Sequence, residues 1–214
     1  MAKPITIDVV SDVVCPWCYV GKKRLDATLA ARKDIAAEIR WRPFFLDPTV
    51  PRAGKPRIDY ITGKFGGVAK ITPAHERLTG LGKVAGIDFH FDKIEVQPNT
   101  LDAHRVIGWA SAEGKADALV EAIFADFFVN GVNLADRASL AAAAARAGMD
   151  AAKVDADLAS GKDEELVAKQ AQAASASGIG GVPFFVFGNK VAVSGAQEAE
   201  VLSSAIDQAL AAAD

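Results

Sequence analysis

The only two cysteines of the 214-residue chain stand as Cys15-Pro16-Trp17-Cys18, between a strand-like run and a helical pattern. Ile5, Ile7 and Val9 alternate with Thr6 and Asp8 before the chain turns fully apolar, which is the signature of a strand inside a sheet. Val20, Leu25, Leu29 and Ala30, interleaved with Lys22, Lys23, Arg24 and Arg32, then describe an amphipathic helix ending near Lys33. A strand that stops just ahead of the pair delivers Cys15 to the start of that helix. There the free amide N–H groups and the helix dipole favour a negative sulfur, so Cys15 is expected to act as a nucleophile. Cys18, one turn further on, is within reach of a tight disulfide with it. A structural staple across so short a loop would stabilise little. Zinc wants four ligands, and the remaining candidates, His75, His90 and His104, lack ligand spacing. Redox chemistry at the pair is therefore expected, with no metal and no tightly bound cofactor.

Composition narrows the setting. With 50% hydrophobic residues the chain can bury a full core as one domain carrying an insertion. A net charge of −3, with Lys and Arg dispersed among Asp and Glu, leaves no extended basic surface for nucleic acid. No segment approaches the roughly 20 apolar residues that span a bilayer. Met1 to Ile7 runs into the first strand without an apolar leader, so the expected setting is soluble and cytoplasmic. In that compartment a surviving disulfide is usually transient and catalytic. Oligomeric state leaves no trace in the sequence.

From Glu38 to Phe44, Ile39, Trp41 and Pro43 alternate with Glu38, Arg40 and Arg42, predicting a half-buried strand that ends or lies at an edge at Pro43. Strand, helix, strand opens an α/β fold with a right-handed crossover and parallel strands. A proline-rich crossing, Asp47 to Pro56, follows, and the chain then reads as helical to about Lys169. Leu119, Ile123, Phe124, Phe127 and Phe128 form a core face in that segment, Pro98-Asn99-Thr100 precedes a helix start, and Asp136 and Asp163 mark others. After Gly178 to Gly181, Val182 to Phe187 and Val191 to Ser194 read as a hairpin turned by Gly188-Asn189, and Ser194 with Gln197 reads as a capping box for a last helix.

That order of elements, the Cys-Pro-Trp-Cys at the first helix and the Gly-Val-Pro before the third strand resemble the thioredoxin superfamily in its DsbA-like arrangement. Ser11-Asp12-Val13-Val14 ahead of the cysteines, Gln97-Pro98-Asn99-Thr100, Ala103-His104-Arg105 and Ser194-Gly195-Ala196-Gln197 resemble its FrnE-like branch. The resemblance implies an α/β, thioredoxin-like fold, 1–57 with 170–214, holding an all-helical insertion over 58–169. It also implies a cytoplasmic thiol:disulfide oxidoreductase or isomerase acting on protein or peptide thiols and disulfides, with glutathione as a candidate co-substrate. Cys15 would attack, Cys18 would resolve, and Pro183 would be a cis-proline facing them.

Pro16 and Trp17 would tune the pair, and the Val182 backbone would face an extended substrate, whereas a trans Pro183 would merely open a strand. Asn99, Thr100 and His104 would border the substrate from the helical segment. The same letters also describe a capped helix with a packed histidine. Asp8 and Asp12 are candidates for relaying protons to Cys18, and Asp12 equally for capping the helix. The rival enzyme class, glutathione transferases of the kappa type and 2-hydroxychromene-2-carboxylate isomerases, shares the architecture but typically carries a serine where Cys15 stands.

Overall fold

The computed structural model describes residues 2–212. Strand β1 (Lys3–Ser11) is interior to a four-stranded sheet of order β2-β1-β5-β6. It pairs in parallel with β2 (Ile35–Pro43), from Lys3 opposite Ile35 to Ser11 opposite Pro43, and antiparallel with β5 (Phe184–Phe187). Edge strand β2 ends at Pro43, where a missing amide costs no ladder bond. Ile5, Ile7 and Val9 are buried in alternation, and Val10 and Ser11 are buried as well because both faces are covered at that end.

Strand β6 (Val191–Ser194) completes the sheet against β5, with Phe187 opposite Val191. Three residues turn this hairpin, one more than its Gly-Asn pair suggests, and both Gly188 and Asn189 take φ +57°. The anticipated capping box does not form. Ser194 is held in register opposite Phe184, so the last helix, α9 (Ala199–Ala211), starts only after Glu198. Gln197 instead donates its side-chain amide to the Ser194 carbonyl.

Helix α1 (Pro16–Ala31) packs beside α9 and against the inserted segment. That segment follows a two-residue strand β3 (Lys55–Pro56) and runs through α2 (Arg57–Phe65), α3 (Val68–Val84), a 3₁₀ turn at Phe91–Lys93, and β4 (Val96–Gln97) paired to β3. Helices α4 (Leu101–Ala112), α5 (Ala116–Phe128), α6 (Arg137–Arg146), α7 (Ala151–Ala159) and α8 (Glu164–Ala176) follow. Apart from the β3–β4 bridge the segment is helical, and α8 continues past residue 169 to lie, with α4, against β2.

Two packing devices join the parts. Tyr19 of α1 stacks on Phe124 at 5.0 Å within a cluster where Phe124, Phe127 and Phe128 are wholly buried, the core face expected of α5. Beside it the buried Lys22 ammonium contacts Asp26 at 2.7 Å, Glu121 at 3.3 Å and Asp117 at 3.4 Å, bridging α1 to α5. Within the insertion the fully buried Arg105 donates to the carbonyls of Asp157 and Lys162 and to Asp102, closing the end of α7. Asp163 takes φ +62° at the start of α8 and accepts from the Trp109 indole at 2.8 Å.

Candidate active site

The end of β1 and the start of α1 place the cysteines. Cys15 is the N-cap residue of α1, in extended conformation, and its amide donates to Asp12 O at 3.0 Å to close the turn. Pro16, which has no amide to leave unpaired, occupies the first helical turn. The Cys18 amide donates back to Cys15 O at 3.0 Å. Pairing of Val10 with Phe184 brings the end of the glycine-rich loop alongside, where the Val182–Pro183 peptide is cis and the Cys15 thiol donates to Val182 O at 3.4 Å. The Pro183 ring packs on Gly21 of α1, where a side chain would meet it.

Both cysteines are free thiols. Chemistry that needs one accessible and one protected sulfur suggests an exposed Cys15, but Cys15 is only 4% exposed and Cys18 2%. The asymmetry lies in surroundings. Burial first, and then the hydrogen bond and charge of the Cys15 sulfur, push the Cys18 thiol well above its ordinary range, only partly offset by the Ser11 side chain and the Asp12 backbone. Cys15 instead borders a cavity of about 480 Å³.

Cys15, Pro16, Trp17 and Val182 line one side of this cavity, and α2 and α3 supply the other with Arg57, Tyr60, Lys64, Lys70 and His75. Among the described residues no carboxylate lines it. Arg57 hydrogen-bonds Gln97, lies 5.7 Å from the Tyr60 ring and makes no ion pair among the described residues. Burial pushes its guanidinium pKa down; burial and the Arg57 charge do the same to His75. Sequence reasoning missed this cationic wall, although Asp59 is the only acid between Arg52 and His75.

The remaining candidates lie elsewhere. Asn99 and Thr100 line a second cavity of about 490 Å³ with Phe45 and Gln172. Asn99 starts α4 by accepting from the Leu101 amide and also donates to Val50 O, whereas the Thr100 hydroxyl makes no capping bond. His104 lines neither cavity; it is 6% exposed and points its Nε2 at Asp12. Asp8 pairs with Arg42 at 2.6 Å. The Asp12 carboxylate does not cap α1, because it accepts from the Leu46 amide at 2.8 Å.

No helix among the described residues is long and apolar enough to cross a membrane. The fold is shared with solved structures. A probable DsbA oxidoreductase from Streptomyces coelicolor is 32% identical and superposes with a TM-score of 0.86 over 97% of this chain and 90% of that one. A 2-hydroxychromene-2-carboxylate isomerase is 21% identical with a TM-score of 0.70, covering 95% of both chains. The cytosolic disulfide reductase DsbM from Pseudomonas aeruginosa, solved with glutathione, is 18% identical with a TM-score of 0.64, covering 96% of both. The DSBA-like thioredoxin domain model matches residues 6–207, nearly the whole chain, and the protein belongs to that family.

Proposed function

We propose that the protein is a cytoplasmic thiol:disulfide oxidoreductase in which Cys15 attacks and Cys18 resolves. The Cys15 thiolate attacks one sulfur of a substrate disulfide; a Cys15–substrate bond forms and the other substrate sulfur leaves as a thiolate. Cys18 then gives up its proton and its sulfur attacks the Cys15 sulfur, breaking the Cys15–substrate bond so that the second substrate sulfur also leaves as a thiolate; the two protons given up by Cys15 and Cys18 convert both leaving thiolates to thiols. Substrate disulfide is reduced to two thiols as the Cys15–Cys18 pair is oxidised, and an external thiol such as glutathione reverses the exchange.

The observation that carries this reading is the placement of Cys15 at the N-cap of α1, bonded to Val182 O and bordering a cavity that faces it with a guanidinium in no ion pair among the described residues. Such a wall suits a thiol bearing carboxylates, as glutathione and acidic peptides do. The solved relatives support the reading at fold level, one of them holding glutathione. Titration of the protein in glutathione buffers, with alkylation of the remaining thiols, tests it. Cooperative loss of both thiols at a defined ratio is expected. Two thiols that stay alkylatable at every ratio would overturn the proposal, and tight glutathione binding to such an inert protein would favour the glutathione-dependent isomerase or transferase reading.

A further inference from the structure

Asp12 and His104 form a buried couple that the exchange chemistry does not use directly. Asp12 is 1% exposed; its Oδ2 accepts the Leu46 amide at 2.8 Å, and its Oδ1 has no hydrogen-bond partner among the described residues. His104 Nε2, on α4, is equally unpartnered and lies 3.5 Å from that oxygen. A carboxylate out of water with a single neutral donor is poorly satisfied, and a ring N–H aimed at its second oxygen is the compensation within reach. Closing the gap by about 0.5 Å makes it a hydrogen bond.

Asp12 in turn holds two parts of the thiol site. Its carbonyl accepts the Cys15 amide. Its carboxylate fixes Leu46, a residue that lines the Cys15 cavity and whose carbonyl accepts Lys64 Nζ at 3.0 Å. We infer that His104 is a positioning residue of the thiol site: it anchors the Asp12 carboxylate, and through it the Leu46 wall of the cavity, without touching sulfur or substrate. The structural half of this inference stands on the contacts alone, and its kinetic half rests on the proposed thiol exchange.

Amide hydrogen exchange at Leu46, followed in the wild type, His104→Ala, His104→Gln and Asp12→Asn, tests the structural half. Removing the imidazole that faces the buried Oδ1 should speed Leu46 exchange about tenfold in His104→Ala. His104→Gln keeps an N–H at the end of a comparable side chain and should restore most of the protection. In steady-state exchange with oxidised glutathione, His104→Ala should raise KM about tenfold with kcat unchanged. Alkylation of Cys15 by iodoacetamide, which needs no cavity wall, should stay within about twofold. Wild-type Leu46 protection in a folded His104→Ala overturns the inference, as does equal loosening in His104→Gln. Should His104→Ala fail to fold, Asp12→Asn, which keeps an acceptor for Leu46 but gives up the carboxylate charge, must still loosen Leu46. A wild type that does not exchange with glutathione disulfide would sink the proposed function, while Leu46 protection would still decide the role of His104.

Discussion

Gly21→Ala places one methyl group between α1 and the loop that faces Cys15. A Cβ at position 21 would lie 2.9 Å from Pro183 Cγ, 3.2 Å from Phe185 Cζ and 3.4 Å from Pro183 Cβ. Carbon atoms prefer separations of about 3.5 Å or more, so the shortfall against the proline ring is roughly 0.6 Å. Neither neighbour can swing away: the Pro183 ring is closed onto the backbone and Phe185 is fully buried. Overpacking of this kind costs about 1–3 kcal/mol. Against it stands the helix preference for alanine over glycine, about 0.5–1 kcal/mol. Packing wins, and the net loss is about 1 kcal/mol, or roughly 2–4 °C in Tm for a chain of this size. The displaced loop also carries Val182 O away from the Cys15 thiol, so exchange with oxidised glutathione should slow. Calorimetry and exchange rates on the purified variant measure both effects. A Gly21→Ala protein more stable than wild type, with unchanged exchange, would show that helix propensity outweighs the packing and refute the argument.

Three further outcomes are expected. Arg57→Gln should raise KM for oxidised glutathione several-fold at low ionic strength and by less at high salt, because a charge attraction is screened; salt-independent, wild-type KM would remove Arg57 from substrate recognition. Glu121 is pushed up by burial but pulled lower overall by the Lys23 hydrogen bond, the Lys22 and Lys23 charges and the Tyr19 hydroxyl, ending below 4.5. A depressed carboxylate stabilises the fold above its unfolded pKa and loses that contribution as pH falls through its folded value, so the stability gap between wild type and Glu121→Gln, measured by urea unfolding, should hold near neutrality and shrink below about pH 4.5. Phe124→Ala, which empties the fully buried stack under Tyr19, should cost about 3–5 kcal/mol; a loss under about 1 kcal/mol would mean that the cluster collapses to fill the space.

Local signals carried the reading furthest where chemistry and backbone share a short stretch. Alternation at Ile5, Ile7 and Val9 marks β1, and the Cys-Pro-Trp-Cys spacing marks the start of α1, because period and capping are properties of neighbours in sequence. The start of α9 was misread for the opposite reason: Ser194 and Gln197 have capping-box spacing, yet the ladder opposite Phe184 claims Ser194 for β6. Nothing in the sequence around Arg57, Lys64 and Lys70 sets them apart from other dispersed charges, and only the return of α2 and α3 over Cys15 turns them into a wall. The Asp12–His104 couple joins two segments whose proximity no periodicity reports. Asn99 and Thr100 were grouped with the thiol site on resemblance, whereas the course of the chain sets them along the neighbouring cavity.

The assignment of roles to the two sulfurs meets its most direct test in mass spectrometry of Cys15→Ser and Cys18→Ser after exposure to oxidised glutathione. With the resolving sulfur gone, Cys18→Ser should accumulate a stable glutathione adduct on Cys15. Cys15→Ser should stay unmodified, because Cys18 is buried away from the cavity and its thiol is held protonated. An adduct on Cys18 of Cys15→Ser, with none on Cys15 of Cys18→Ser, would contradict the account.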